Sequence, residues 1–438
     1  MHKSLWQRFN HLQSDRPLQL ILIFIFLALG ILLRVIWPTD MEWKWEERWM
    51  FEQASKIVTG EMPLPWLGMK SSVLVNNPGM SVWSFAFIRL FVDTPVGMAQ
   101  FIQWLNGAML LLFTGFILWQ VPQREQIPWL WGMAIMAVNP FAVLFSRRIW
   151  TPDILSPFVL VTLVGHWFRH RFWGAFFWGL ASLASGQVQM GGFFFAFGLV
   201  AWTAWTDWRE KTFRWQTGWQ TWAGWATGSA VAFIPLIPWL IEIVPQMESY
   251  RKSIVALLFP KFYVQWITAA LGTNLSYTLK EFFWGALLQE PKIFGAPSYG
   301  VAIAHLGLVV AGAYPAYRWW KTRNDRRQRP KPEPTRLGFY LKAMAIGTGG
   351  AYTLSRVNVH PYYIVIVFPF IYFWLATLYQ HRVKVLVAIA VLQFFISANF
   401  LIFVHRTGGM PACGDGYGVS YRFQTEFPTP IMQDCNFL

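Results

Sequence analysis

Long apolar runs recur along this chain, divided by short polar segments and by two longer stretches rich in Trp, Tyr and Phe. An α-helix needs about 20 apolar residues to cross the roughly 30 Å of bilayer hydrocarbon, and the run Leu18 to Trp37 has that length. Lys3, Arg8 and Arg16 precede it. The run is too long for the apolar region of a signal peptide and shows no small-residue cleavage site, so it reads as an uncleaved first span. Further apolar segments lie near 98–119, 128–145, 154–168, 172–186, 190–206, 219–241, 299–317, 337–354, 361–379 and 384–404. The pattern predicts an all-α polytopic membrane protein with about eleven transmembrane helices. The divider Ser185-Gly186-Gln187-Val188-Gln189 is short, so the helix ahead of it could stop before crossing fully.

The bundle so defined covers residues 1–404, followed by a polar tail at 405–438. Two loops are large. Residues 38–97 mix carboxylates with aromatic residues and predict short interfacial helices, the first from Glu46 to Val58, stopping at Gly60 with Pro63 beyond. Residues 242–298 hold amphipathic stretches at Ser253 to Leu271 and Leu279 to Leu288, whose aromatic residues suit a bilayer interface. Charge content agrees with the membrane reading: 13% of residues are charged, against about a quarter in soluble domains.

A formal net charge of +15 would suit a nucleic-acid partner, but the basic residues form short loops between spans. Arg124, Arg169 with Arg171, Arg209 with Lys211 and Arg214, the segment Arg318 through Arg336, and Arg382 with Lys384 all fall on one side of the expected bundle. That is the positive-inside distribution. It implies a cytoplasmic N-terminus, an outward tail and no nucleic acid. The run Lys321 to Lys331 is the most basic, a topology anchor before it is an anionic-lipid contact.

Ionisable groups at a membrane boundary are functional candidates. Glu46 and Glu47 follow the first span, and Asp153 follows the third in Ser146-Arg147-Arg148-Ile149-Trp150-Thr151-Pro152-Asp153. Asp40 and Glu42 are local rivals for the acidic role. Arg147 and Arg148 could hold a phosphate, while Asp153 beside Pro152 could also cap a helix. A third cluster is Ser355-Arg356-Val357-Asn358-Val359-His360-Pro361-Tyr362-Tyr363, where Arg356 and His360 could meet a phosphate at the outer interface. Cys413 and Cys435 could form a disulfide if the tail faces an oxidising compartment, and are too few for a zinc site. GxxxxGK[ST], HExxH and a dinucleotide-binding GxGxxG are absent, which argues against an ATP-driven pump or a soluble nucleotide-sugar enzyme.

The diacid Glu46-Glu47, the aromatic-rich helix after it and Gly60 resemble the first outer loop of the GT-C membrane glycosyltransferases. The likeness is to the branch holding protein O-mannosyltransferases, aminoarabinose transferases and bacterial relatives. Those enzymes carry Asp-Glu where this chain has Glu-Glu. The stretch Asn76 to Trp83 stands at their proline-rich second interfacial helix, with one proline left. Asn139-Pro140 through Asp153 resembles their second outer loop, and His360 with Tyr362 and Tyr363 resembles their late His-Tyr-Tyr stretch.

The resemblance implies a GT-C fold in an inner or plasma membrane, with its site facing the periplasm or exterior. It implies inverting sugar transfer from a polyprenyl-phosphate donor to a hydroxyl of a lipid, glycan or protein. A carboxylate near Glu46 or Glu47 would act as base. Arg147, Arg148, Arg356 or His360 would stabilise the departing phosphate, and Asp153 would position acceptor or base, or share Mg or Mn with the acidic pair. Rival classes are a transporter or flippase and a ligase for lipid-diphosphate-linked glycans.

Overall fold

The computed structural model describes residues 16–71, 75–210, 215–247, 257, 259–275, 279, 281–322, 335–409 and 418–426. These are helical apart from loops and two short antiparallel hairpins. Among the described residues, five helices are long and apolar enough to cross a membrane: Arg16–Val35, Pro95–Gln120, Gly218–Ile243, Gly300–Lys321 and Val383–Thr407. A sixth crossing exists if Pro361–Val367 and Phe370–Leu378, bent by 81°, form one broken span. The chain is therefore an all-α membrane protein.

The other expected spans are helical but shorter, less apolar or interrupted. They are Gln126–Val138, Ser156–Trp167, Phe172–Val188 and Gly191–Arg209, with Arg336–Lys342, the π-helical Ala343–Thr348 and Gly349–Ser355 forming one more. The interruptions have local causes. Pro140 has no amide hydrogen to continue a helix, and the Asn139 side chain accepts the amides of Phe141 and Ala142 at 3.0 and 3.1 Å. One helix stops there and the short Pro140–Leu144 begins. Gly30 explains a close crossing: a Cβ there would meet the Ala137 carbonyl at 2.5 Å, so glycine lets Arg16–Val35 press against Gln126–Val138. Trp129, Trp131 and Trp178 fill the interior, while Ile303, Leu306 and Val310 stay exposed along Gly300–Lys321, as a lipid-facing stripe requires.

One end of the bundle carries the first large loop. Its helix Trp45–Val58 opens with Glu46 and Glu47 in the first turn and ends before Gly60, which adopts φ 79°, close to the sequence expectation. The loop is not wholly helical, however. Leu67–Lys70 pairs with Asn76–Pro78, and the Asn76 and Asn77 amides donate to the Gly68 and Met69 carbonyls at 2.9 Å each. Helix Met80–Arg89 follows. In the second loop, helices Lys261–Leu271 and Glu281–Leu288 form, and residues 253–256 and 258 of the expected amphipathic stretch lie outside the described residues. The tail segment 418–426 returns to the first loop, where Ser420 bridges Glu42 and the Tyr421 amide donates to the Met41 carbonyl at 2.9 Å. Cys413 and Cys435, and with them the expected disulfide, lie outside the described residues.

Candidate active site

The adjacent arginines of the loop after Pro140–Leu144 face different surroundings. Arg147 donates through Nη1 to the Leu33 and Arg34 carbonyls at 2.7 Å each, and through Nη2 to Ile36 and Trp37 at 2.7 and 3.0 Å. Leu33 and Arg34 lie in the last turn of Arg16–Val35, whose carbonyls the helix itself leaves without partners, and Ile36 and Trp37 follow directly after it. Arg147 is 4% exposed and seals that end. The expected phosphate-binding role does not fit this placement.

Arg148 instead enters an acidic cluster. Its Nε lies 2.9 Å from Glu42 Oε2, and Nε and Nη2 donate to Glu47 Oε1 at 3.0 and 2.7 Å. Its backbone amide donates to Asp153 Oδ1 at 3.1 Å, so Asp153 braces its own loop while Ser156–Trp167 starts without a side-chain cap. Glu42 Oε1 also receives Lys44 Nζ at 2.6 Å and the Gly418 amide at 2.7 Å. Glu47 Oε2 accepts the Lys44 amide at 3.1 Å, closing the first turn of Trp45–Val58.

Glu42, Glu47 and Asp153 are buried, and among the described residues the cations paired with this cluster are Arg148 and Lys44, so the three cannot all ionise equally easily. Burial raises Glu47 and repulsion from Glu42 and Glu46 adds to this; Arg148 offsets only part, leaving its pKa above the usual range. Burial lifts Asp153 well above its ordinary value despite Arg148 and the amides beside it. For Glu42, burial is outweighed by Arg148, Lys44 and the Gly418 amide, and the net shift is downward. Burial opposes the Arg148 charge, but Glu42, Glu47 and Asp153 together hold it more firmly protonated.

A cavity of about 620 Å³ opens beside this cluster. It brings together Glu46, Arg148, His360, Tyr362 and Tyr363 from three distant segments. His360 stacks on Tyr362 at 5.6 Å, and Tyr362 meets Trp150 edge-on at 4.7 Å. Glu46 is half-buried on the wall and makes no ion pair among the described residues, whereas Glu47 and Asp153 stand behind it. Arg356, in the left-handed region at φ 59° after Gly349–Ser355, is not on the lining. Asp40 is also elsewhere, held by His405 Nδ1 at 2.6 Å and Arg422 Nε at 2.7 Å.

Sequence reasoning missed Lys44, Lys70 and Lys261, all on the cavity wall. Lys261 Nζ donates to Asn358 Oδ1 at 2.7 Å, tying the second large loop to the His-Tyr-Tyr stretch. A signal existed: each lysine lies in a loop expected on the outer side, where the positive-inside rule disfavours it. The Mg or Mn site is not supported by the donor set. The Arg148 guanidinium fills the place a cation would take between Glu42 and Glu47, and no group of three or more His, Cys, Asp or Glu among the described residues could hold a metal.

Comparison of the chain with protein-family models, with curated proteins and with solved structures finds no match.

Proposed function

We propose that this protein is an inverting glycosyltransferase of GT-C type, with about eleven helical segments packed in an inner or plasma membrane. It moves a sugar from a polyprenyl-phosphate donor to a hydroxyl of a lipid, glycan or protein at the extracytoplasmic face. The observation that carries this reading is the shared cavity of Glu46, Arg148 and the His360–Tyr363 stretch. A carboxylate, a fixed cation and a polar aromatic wall are what transfer from a phosphate leaving group needs.

Glu46 takes the proton of the acceptor hydroxyl as its oxygen bonds to the anomeric carbon. The bond from that carbon to the phosphate oxygen breaks, and the phosphate leaves with the electron pair. One displacement inverts the centre. Arg148 and His360 stabilise the charge gathering on the phosphate. Arg148 needs little reorganisation, because Glu42 and Glu47 already fix its guanidinium. Glu47 is thus a positioning residue. The polyprenyl tail partitions into lipid and brings the phosphate to the membrane boundary. A flippase reading would favour charges along a path inside the spans, whereas this cluster lies in loops at one end of the bundle.

The test is label transfer by purified, lipid-reconstituted protein from a panel of polyprenyl-phosphate sugars, with Glu46→Gln, Glu47→Gln and Asp153→Asn alongside. Transfer or slow donor hydrolysis is expected in wild type and lost in Glu46→Gln. Folded wild type that turns over no donor would shift the assignment to transport or to a lipid-diphosphate ligase.

A further inference from the structure

Two amide side chains on the cavity wall make no hydrogen bond among the described residues. Gln189 and Gln265 are 6% and 9% exposed, and the Oε1 atom of each is buried without a partner. Gln189 is the extended residue that ends Phe172–Val188, and Gln265 lies within Lys261–Leu271, so separate elements deliver them. A buried amide oxygen without a donor carries its desolvation penalty uncompensated. Native interiors hold few such groups, and two on one cavity wall call for an explanation. Close by, Gly191 also lines the cavity, and the Tyr352 hydroxyl lies behind it, where a Cβ on Gly191 would meet it at 2.6 Å. That hydroxyl too is buried without a hydrogen-bond partner among the described residues.

We infer that Gln189 and Gln265 form the subsite for the donor's sugar ring and set which sugar is accepted. The inference deepens the transferase reading and rests on it. A sugar presents hydroxyls that both give and accept hydrogen bonds, and C–H faces that pack on aromatic rings. An amide carries an acceptor and two donors, and a half-turn exchanges their positions. Trp150, Tyr362 and Tyr363 supply aromatic surface on the same wall. Neither other part of the donor suits amides: a phosphate calls for the cations, and a polyprenyl chain calls for apolar surface. A site built to bond a hydroxyl discriminates strongly against an analogue lacking it, since its buried polar groups are then left unpaired.

The experiment measures equilibrium binding of a polyprenyl-phosphate sugar and of sugar-free polyprenyl phosphate to protein in lipid nanodiscs. Wild type is compared with Gln189→Met and Gln265→Met, and with Gln→Asn at each site should a Met variant fail to fold. Wild type should bind the glycosylated lipid at least about tenfold more tightly than the bare carrier, and each substitution should remove most of that difference. Affinity for the bare carrier should stay within about twofold, and thermal stability should be unchanged or higher, because the replaced oxygens had no partner. A structural role would instead lower stability and weaken both ligands alike. Absence of sugar-dependent affinity in wild type, or its persistence in the variants, overturns the subsite even if transfer proceeds. Sugar-dependent binding lost in the variants, with no transfer by wild type, upholds the subsite and removes the transferase reading.

Discussion

Arg148 donates both Nε and Nη2 to a single oxygen of Glu47, at 3.0 and 2.7 Å, across 101 residues of sequence. Both partners are buried, which separates this pair from surface ion pairs worth about 0–1 kcal/mol. Removing one partner of a buried pair leaves the other charge uncompensated and costs about 3–5 kcal/mol. Arg148→Met is therefore expected to lower unfolding free energy by that amount, and Arg148→Met with Glu47→Gln to recover part of it. Denaturant unfolding of the purified protein measures both. A single variant within about 0.5 kcal/mol of wild type would mean the pair is not the tie between the two loops.

Asp153 gives the cluster a pH dependence of definite sign. Its pKa in the folded protein lies well above 3.8, chiefly through burial. As pH rises past 3.8 the unfolded chain releases this proton while the folded chain keeps it, so folding takes up a proton and stability falls with pH. The fall continues until the folded value is passed. Glu47, also raised, acts in the same direction from 4.5 upward. Glu42 is lowered, so its contribution is present above 4.5 and is lost on acidification. Asp153→Asn should remove one falling limb, so its stability relative to wild type should grow with pH from about 3.8 upward before levelling. Melting temperatures across a pH series test this, and parallel curves for the two proteins would count against it.

Arg147 should behave unlike its neighbour. Its guanidinium serves the carbonyls of Leu33, Arg34, Ile36 and Trp37, so Arg147→Met should destabilise the end of Arg16–Val35. Hydrogen bonds from charged groups contribute about 1.5–3 kcal/mol each, and a loss of at least that size is expected. The affinity for polyprenyl phosphate should stay within about twofold of wild type, since the side chain is off the cavity wall. A large loss of carrier affinity with unchanged stability would restore the phosphate-binding role.

Most helices were legible because a long apolar run in a bilayer must satisfy its backbone internally, and a helix does so locally. Their breaks were harder to read. The Asn139-Pro140 interruption depends on a side chain replacing two backbone bonds, and the 81° bend after Pro361–Val367 divides a segment that is apolar on both sides. Residue type exposed Glu46, Arg148 and His360 to Tyr363 as site candidates. It could not divide Arg147 from Arg148, because only the surrounding fold decides which guanidinium meets carbonyls and which meets carboxylates. The hairpin that carries Lys70 was not legible, because its strands are too short to show a period of two. Gln189 was visible only as part of a short polar divider, and Gln265 as a neutral amide in an apolar stretch; neither marks a site until its missing partners are visible.

Asp40 illustrates the same point at the other end of the chain. Its two oxygens receive His405 Nδ1 and Arg422 Nε, and Arg422 also donates to the His405 carbonyl. This fastens Tyr421–Glu426 to the first loop, near where the Gly418 amide reaches Glu42. Loss of the Asp40 contacts should therefore release the tail and remove one donor from Glu42. Arg422→Ala is expected to speed hydrogen exchange at the Ser420 and Tyr421 amides, which donate to Gly408 and Met41, by about tenfold or more. Asp40→Asn should do the same to a smaller degree, because an amide keeps one acceptor. Under the proposed mechanism both variants retain Glu46, so transfer should fall in rate without being abolished, whereas Glu46→Gln should lose about 10²-fold or more. Unchanged exchange at Ser420 and Tyr421 in Arg422→Ala would show that the tail is held by other contacts. Complete loss of transfer in Asp40→Asn, with the tail still protected, would move the base from Glu46 to Asp40.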